Sequence, residues 1–502
     1  MHPLAQLDQK FIWHPFTQMR DWLRREPIVI TSGQGAVLRD AKGREYLDAN
    51  ASIWTNLHGH RHPKINAAIQ RQLQKISHSS ALGLANEPAG RLAEKLVNLA
   101  AGGGRRTDPS GHHGRKFNPK PAITNPKLTK VFFSDDGSTA LEVALKLAYE
   151  FTRRTRGTKT HPKFLSLDGA YHGDTIGAVS LGHNDLFHKA YSGMRFATDQ
   201  VMSPYCYRCP FNRAKPERSD ARKYRKCNWE CVDLVAKKFA AQKKKGNPYA
   251  GLFFEPLMQG AAGMIPQPSG WLAQVTEIAR AHGALLIADE VMTGFGRSGV
   301  TCHVDEKVLA DMVKKPAATK LFATARVGIV PDFLCVAKGL TGGYLPMAAT
   351  LTTQKVFDAF LGEYEEFKTF FHGHSFTGNQ LGAAAAMASL EILQSEKSVR
   401  QRSQLQKNLQ EELQSLWSLP NVGDVRQVGL VAGIELVENW RTRKPFALRE
   451  RAGIRVCETM AKRGVLTRPV GNVIVLMPPY CTTREQLQKM VSALREAVKA
   501  VF

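Results

Sequence analysis

The pattern that most narrows what this chain can fold into is a series of short apolar runs, each closed by polar, acidic or glycine residues. TKVFFSDDG, KFLSLDGAYHG, GLFFEPLMQG, ALLIADEVMTGFG and PDFLCVAKG are too short for helices, and their apolar centres suit buried strands. STALEVALKLAYEFTRR follows the first with helical periodicity, and WLAQVTEIARAHG supplies a helix ahead of the fourth. Strand and helix alternating in this way predict an α/β fold, a mainly parallel sheet with helices on both faces. Ligands of such sheets bind beyond the carboxyl ends of the strands. The polar residues that close these runs are therefore the first candidates for a site.

At 502 residues the chain has room for a large domain and a smaller one. From about residue 395 the pattern changes. VRQRSQLQKNLQEELQSLW reads as an amphipathic helix, VGDVRQVGLVAGIELV as a strand pair and ERAGIRVCETMAKRG as a helix. NVIVLMPPY then reads as a strand and TREQLQKMVSALREAVKAVF as a closing helix. We expect a small α+β domain built from residues 1–64 and 366–502 around a large domain over 65–365.

No run approaches the roughly eighteen apolar residues of a membrane-crossing helix. The start, MHPLAQLDQKFIWHPF, lacks the basic-then-apolar layout of a signal peptide, so a cytoplasmic location without a membrane partner is expected. The formal charge of +25 collects largely in RRTDPSGHHGRKFNPKP, RAKPERSDARKYRK and KKPAATK. Rich in Pro, Gly and basic residues, these read as solvated insertions, near 101–127, 206–231 and 302–320. With no helix-turn-helix, zinc-finger or RRM pattern, the charge does not specify a nucleic-acid partner.

Four of the eight cysteines cluster as CYRC (Cys206, Cys209) and CNWEC (Cys227, Cys231). The spacing fits zinc or an iron–sulfur cluster, and it fits equally four reduced thiols packing a surface loop. The reading carried forward is no metal, with Cys206, Cys209, Cys227 and Cys231 as the alternative. Cys302, Cys335, Cys457 and Cys481 are scattered and read as small core residues.

Lys338 follows an apolar strand and precedes a turn over Gly339–Gly343. Apolar surroundings lower a lysine pKa, and a neutral amine is a nucleophile able to form a Schiff base. The plain alternative is a strand-end lysine whose head reaches solvent. A Schiff-base lysine implies a carbonyl cofactor, and pyridoxal phosphate asks for three more things. Asp289 offers its pyridine nitrogen an acidic partner. Gly137 and Ser138 open a helix whose N–H groups suit the phosphate, with Ser138 also readable as the N-cap. Tyr171 offers a flat face for the ring. Each has an ordinary explanation alone; together, on successive strand ends, they support one another.

HPFTQM, ASIWTNLHGH, SDDGSTALEVALK, DGAYHGDT, FEPLMQGAAGM, IADEVMTGFGRSG, PDFLCVAKGLTGGYLPMAA, FFHGHSFTGN and TRPVGNVIVLMPPY span nearly the whole chain. In them the sequence resembles the class III aminotransferases, which are fold type I pyridoxal-phosphate enzymes with a seven-stranded sheet. The resemblance implies Lys338 as the Schiff-base lysine, Asp289 on the ring nitrogen, and Gly137 and Ser138 on the phosphate. It places Tyr171 and His172 by the ring, making Lys338, Asp289 and Tyr171 the expected catalytic residues. It implies a homodimer with shared sites, Ser375 reaching the neighbouring subunit's phosphate and Gly373 beside substrate. Phe16, Trp54, Tyr171 and Lys338 would line the substrate space, Arg468 would grip a carboxylate, and Glu255 would stand behind the site.

HPFTQM and the segments around Trp54 and Arg468 resemble the biotin-synthesis branch of the family. That branch aminates 8-amino-7-oxononanoate, with S-adenosylmethionine or, in some lineages, lysine as donor. Adenosylmethionine users usually carry two tryptophans where this chain has Ile53 and Trp54, and tyrosine where it has Phe16. The rivals are another ω-aminotransferase, acting on ornithine, 4-aminobutyrate or a diamine, and a basic binding protein on an inactive scaffold.

Overall fold

A computed structural model describes residues 1–101, 126–157, 159, 161–299 and 320–502. The insertions expected near 101–127 and 302–320, with Cys302, lie almost wholly outside the described residues. The central sheet has seven strands. From one edge they are Leu128–Ser134, Ala348–Thr353, Phe333–Val336, Leu285–Asp289, Gly251–Phe254, Phe164–Leu167 and Asp199–Val201. Six run in one direction, while Ala348–Thr353 is antiparallel to both its neighbours. The runs Phe164–Leu167, Gly251–Phe254 and Phe333–Val336 are buried at every position, as strands covered on both faces must be.

The helix Gly137–Arg156 packs its buried stripe, including Leu141, Ala144 and Ala148, against one face of this sheet. It starts at Asp136, whose carboxylate accepts from the Thr139 N–H while the Thr139 hydroxyl accepts from the Asp136 N–H. Asp136 is therefore the N-cap, and the reading of Ser138 as cap is corrected. A carboxylate one turn ahead wins because both partners of the capping box are in place.

N- and C-terminal segments meet in the smaller sheets. Ile30–Gln34, Val37–Asp40 and Glu45–Asp48 form an antiparallel ribbon, extended by a parallel pairing with Val465–Leu466. Val422–Val428 and Val431–Asn439 form a hairpin that continues into Val473–Leu476 and Pro469–Val470. The helix Glu396–Leu413 packs against the closing helix Arg484–Val501.

The basic stretch near 213–226 is not a freely solvated insertion. The Arg218 guanidinium donates to the carbonyls of Trp417 (2.5 Å), Val422 (2.7 Å) and Leu419 (2.6 Å). Arg222 is paired with Asp220 and donates to the Gln427 carbonyl at 2.8 Å. Arg208 and Tyr205 both reach Glu435, which also takes the buried Arg426. The charges are spent tying this loop to the C-terminal hairpin. Composition could not show that, because a guanidinium reads alike in sequence whether it faces water or carbonyls.

Candidate active site

Four neighbouring parallel strands deliver the site residues beyond their carboxyl ends. Phe164–Leu167 leads to Tyr171 and His172, Gly251–Phe254 to Glu255, Leu285–Asp289 ends on Asp289, and Phe333–Val336 leads to Lys338. Lys338 opens a short 3-10 turn with φ +43°, a left-handed conformation that a non-glycine residue keeps only when its surroundings enforce it. Its amine lies 4.9 Å from the centre of the Trp54 ring. Burial lowers the Lys338 pKa, and the charges of Asp289 and Glu255 pull it partly back.

Asp289 is buried and accepts from His172 Nδ1 at 2.8 Å, its other oxygen taking the Val291 N–H. The far nitrogen of His172 is buried without a partner. His172 therefore stands behind Asp289 and fixes its orientation. Glu255 is buried as well. It accepts from the Gly260 N–H at 2.7 Å through one oxygen and leaves the other unpaired. Burial first, and the Asp289 charge second, push its carboxyl up to about 7.

Two glycines shape the start of the helix Gly137–Arg156. A Cβ on Gly137 would sit 2.7 Å from Val291 Cγ1, and one on Gly173 would sit 2.2 Å from Ser138 Oγ. Gly173 also has φ +123°. The Ser138 hydroxyl lies 2.8 Å from Thr175 Oγ1 and accepts from the Thr175 N–H at 3.0 Å, and Glu142 takes the Thr175 hydroxyl. The first N–H groups of a helix have no acceptor within it, and the dipole there favours an anion. This glycine-cleared helix start, with a carboxylate and an amine on the strand ends beside it, fits an anionic phosphate carrying a basic ring and a carbonyl.

Trp54 arrives on an unusual turn. Ala51, Ser52, Ile53 and Trp54 have φ of +44°, +49°, +62° and +70°. Such a run costs about 1–2 kcal/mol per residue. Asp48 holds it by accepting from the Ser52 N–H and hydroxyl at 3.0 and 2.9 Å, and Asn50 accepts from the Trp54 indole at 2.8 Å. Behind the indole lies a cluster of Met258, Met264, Met292 and Met477. Sequence reasoning missed Asp48 and Asn50, although two polar residues just ahead of a bulky tetrapeptide were a usable signal.

The Tyr171 hydroxyl donates to Asp174 at 2.7 Å, and its ring stacks on the His188 ring at 5.7 Å. Phe187 bridges from Tyr171 (5.8 Å) to Phe16 (5.4 Å), which is exposed. Phe187 and His188 carried no local motif and were not anticipated. Arg468 is exposed between Val465–Leu466 and Pro469–Val470, and Val470 packs on the same methionine cluster as Trp54. Gly373 and Ser375 lie on an exposed stretch, where the Ser375 carbonyl accepts from His78 at 2.8 Å. Ser375 makes no hydrogen bond to Lys338, Asp289 or Ser138 among the described residues.

Fold and site together define a transaminase of the pyridoxal-phosphate class, and the Aminotransferase class-III family matches residues 19–315 and 316–498. The chain belongs to that family and uses pyridoxal phosphate. Its relatives include the adenosylmethionine-8-amino-7-oxononanoate aminotransferase of Geobacter sulfurreducens, 43% identical over 99% of this chain and 98% of the relative. The crystal structure of the protein so named from Methanocaldococcus jannaschii is 36% identical with TM-score 0.82, over 99% and 98% of the two chains. A PLP-bound amine transaminase from an uncultivated Pseudomonas species is 30% identical with TM-score 0.82, over 98% and 99%.

The raised Glu255 carboxyl has a consequence for stability. Its folded pKa lies above the unfolded value, so the native state holds a proton that the unfolded chain has released between about pH 4.5 and 7. Stability gained at low pH is therefore lost as pH rises through that window. Urea unfolding of the cofactor-free chain at pH 5 and pH 8 should show a loss, relative to Glu255→Gln, of about 3 kcal/mol. Parallel curves for the two proteins would show that Glu255 is ionised throughout.

Proposed function

We propose that this chain transfers an amino group to 8-amino-7-oxononanoate, giving 7,8-diaminononanoate, in the cytoplasm as a step of biotin synthesis. The observation that carries the reading is the Lys338 amine, 4.9 Å from the centre of the Trp54 ring and within the field of the buried Asp289 and Glu255 carboxylates. The relatives' shared name supports the choice of acceptor. When bound, pyridoxal phosphate supplies a carbonyl that condenses with amines and a ring that draws electrons from the attached carbon.

The protein's own residues do the rest. Gly137 and Ser138 receive the phosphate at the helix start. Asp289, steadied by His172, offers its carboxylate to the ring nitrogen, and Tyr171 covers the ring. Lys338, its pKa lowered by burial, is the nucleophile, and its freed amine carries the proton to and from the substrate α-carbon. Trp54 and the methionines behind it exclude water and offer an apolar wall to the acceptor's chain. Arg468 takes the acceptor's carboxylate, a bidentate match for a guanidinium.

The donor is S-adenosylmethionine, with L-lysine as the alternative. A flat sulfonium gains from aromatic walls by stacking and cation–π attraction. Ile53 removes one indole and Phe16 one hydroxyl from that surface, whereas the Phe16–Phe187–Tyr171 series restores aromatic area.

A homodimer completes the site. Leu82, Leu84, Phe371 and Phe376 are 90%, 62%, 68% and 59% exposed. They lie on two segments joined to each other by Asn86 to the Gly378 carbonyl (3.1 Å) and Gln380 to Ser79 (2.5 Å). An apolar patch of this kind is covered by a second copy, bringing Ser375 to the partner's phosphate.

Lys338→Ala should lower turnover by several orders of magnitude, since nucleophile and proton carrier vanish together. Near-normal turnover would remove Lys338 from the mechanism. Arg468→Ala should weaken the keto acid by about 2 kcal/mol and leave the donor half-reaction almost unchanged. Equal losses in both halves would mark a structural arginine. Stopped-flow absorbance with each donor alone decides the donor: a fast change with lysine and none with adenosylmethionine would reverse the assignment. Activity on ornithine, 4-aminobutyrate or a diamine, and none on the keto acid, would replace the acceptor. Phe376→Glu should shift sedimentation from dimer to monomer, and a monomeric wild type would remove the shared site.

A further inference from the structure

The loop that carries CYRC and CNWEC takes no part in the chemistry above, yet it is built with care. Cys206 and Cys209 sit on a turn, and Cys231 is the second residue of the helix Glu230–Lys244. Two backbone ties hold the motifs face to face. The Arg213 N–H donates to the Lys226 carbonyl at 3.0 Å, and the Lys226 N–H donates to Asn212 Oδ1 at 3.0 Å. The four cysteines, with Arg225 and Trp229, line one cavity of about 10 Å³. That is room for about one water-sized atom.

The groups around the sulfurs are donors. Arg225 Nη1 donates to Cys227 Sγ at 2.9 Å, and its guanidinium stacks 4.0 Å from the Trp229 ring. The N–H groups of Phe211 and Asn212 lie beside Cys209 and that of Val232 beside Cys231, Asn212 donating to the Cys209 carbonyl at 3.1 Å and Val232 to the Trp229 carbonyl at 2.8 Å. The Trp271 indole N–H is buried beside Cys231 and has no well-aligned partner among the described residues. An unpaired buried donor carries a penalty that an anionic sulfur would relieve. As free thiols these groups are poor nucleophiles, since burial pushes Cys206 up to about 12 and Cys231 up to about 11. All four are unbridged.

We propose that Cys206, Cys209, Cys227 and Cys231 bind one zinc ion as a structural tetrathiolate site. Among the described residues no such group already stands at metal-ligating geometry, so the candidate site is empty and its sulfurs draw inward on binding. Four S–H groups release four protons and form four Zn–S bonds, with no change of oxidation state. The resulting charge of two minus faces the Arg225 guanidinium on Cys227. N–H donors on the ligating sulfurs then hold the ligands in orientation. The ion fastens the loop that Tyr205, Arg208 and Arg218 anchor to the C-terminal hairpin. The same hairpin carries Arg426, which donates to the carbonyls of Gly263 and Met264 (2.8 Å for Met264), in the segment that leads to the methionines behind Trp54.

The test is the metal content of the cofactor-loaded chain purified from zinc-supplemented cells. One zinc per chain is expected, surviving dialysis. Four thiols should be shielded from a thiol reagent until a chelator and denaturant are added. Cobalt exchanged into the wild-type chain should show sulfur-to-cobalt charge transfer and tetrahedral d–d bands. Cys209→Ser combined with Cys227→Ser should lose the ion and melt at lower temperature. If that variant does not fold, the cobalt spectrum of the wild type decides. Absence of both stoichiometric zinc and the cobalt–thiolate bands overturns the proposal, and so does iron in place of zinc.

Discussion

Placing an amine where water solvates it poorly is the constraint around which this structure is arranged. Desolvation alone would leave Lys338 neutral and aimless. Asp289 and Glu255 oppose that shift, and each is buried in its own right. Asp289 is steadied by His172, while Glu255 accepts from the Gly260 N–H, and its carboxyl rises toward neutrality. The site thus holds one firmly placed carboxylate and one that titrates near physiological pH, from the same residue class on adjacent strands. Parallel pairing is what makes this possible. It brings four carboxyl ends to one edge, so groups far apart in sequence converge without long loops.

Much of this was legible in the chain itself. The short apolar runs gave strand positions, and their closing residues offered Lys338, Asp289 and Tyr171 as candidates because strand direction decides which end faces a ligand, while His172 and Glu255 came only with the resemblance to the aminotransferases. What stayed hidden depended on which of several local or distant partners wins. Asp136 outcompetes Ser138 as the helix cap through a reciprocal bond to Thr139, and Ser138 is turned to Thr175. His188 stacks on Tyr171 from a segment with no motif of its own. The left-handed turn at Ala51–Trp54 defies local preference, most of all at β-branched Ile53. It persists because Asp48 and Asn50 satisfy its donors. Local backbone preferences fail where side-chain hydrogen bonds from neighbouring Asp48 and Asn50 offset the strain, and here that place adjoins the lysine.

The same lesson applies to charge. Part of the formal +25 is paired inside the fold, as the described arginines show when followed to their ends. Arg218 serves three carbonyls, Arg222 an aspartate and a carbonyl, and Arg426 two carboxylates and two carbonyls. These cations act as mortar between the loop near 205–226 and the C-terminal hairpin.

That mortar has a consequence for how the protein is made. Arg208, Arg218 and the cysteines leave the ribosome roughly two hundred residues before the strands that receive those arginines. At about 5–20 residues per second the loop waits on the order of ten to forty seconds without its docking surface. During synthesis its thiols and guanidinium groups are open to solvent, whatever their burial in the finished molecule. Oxidants, proteases and metal ions therefore meet this segment first on the nascent chain, and the order of translation sets which of them arrives before the fold closes.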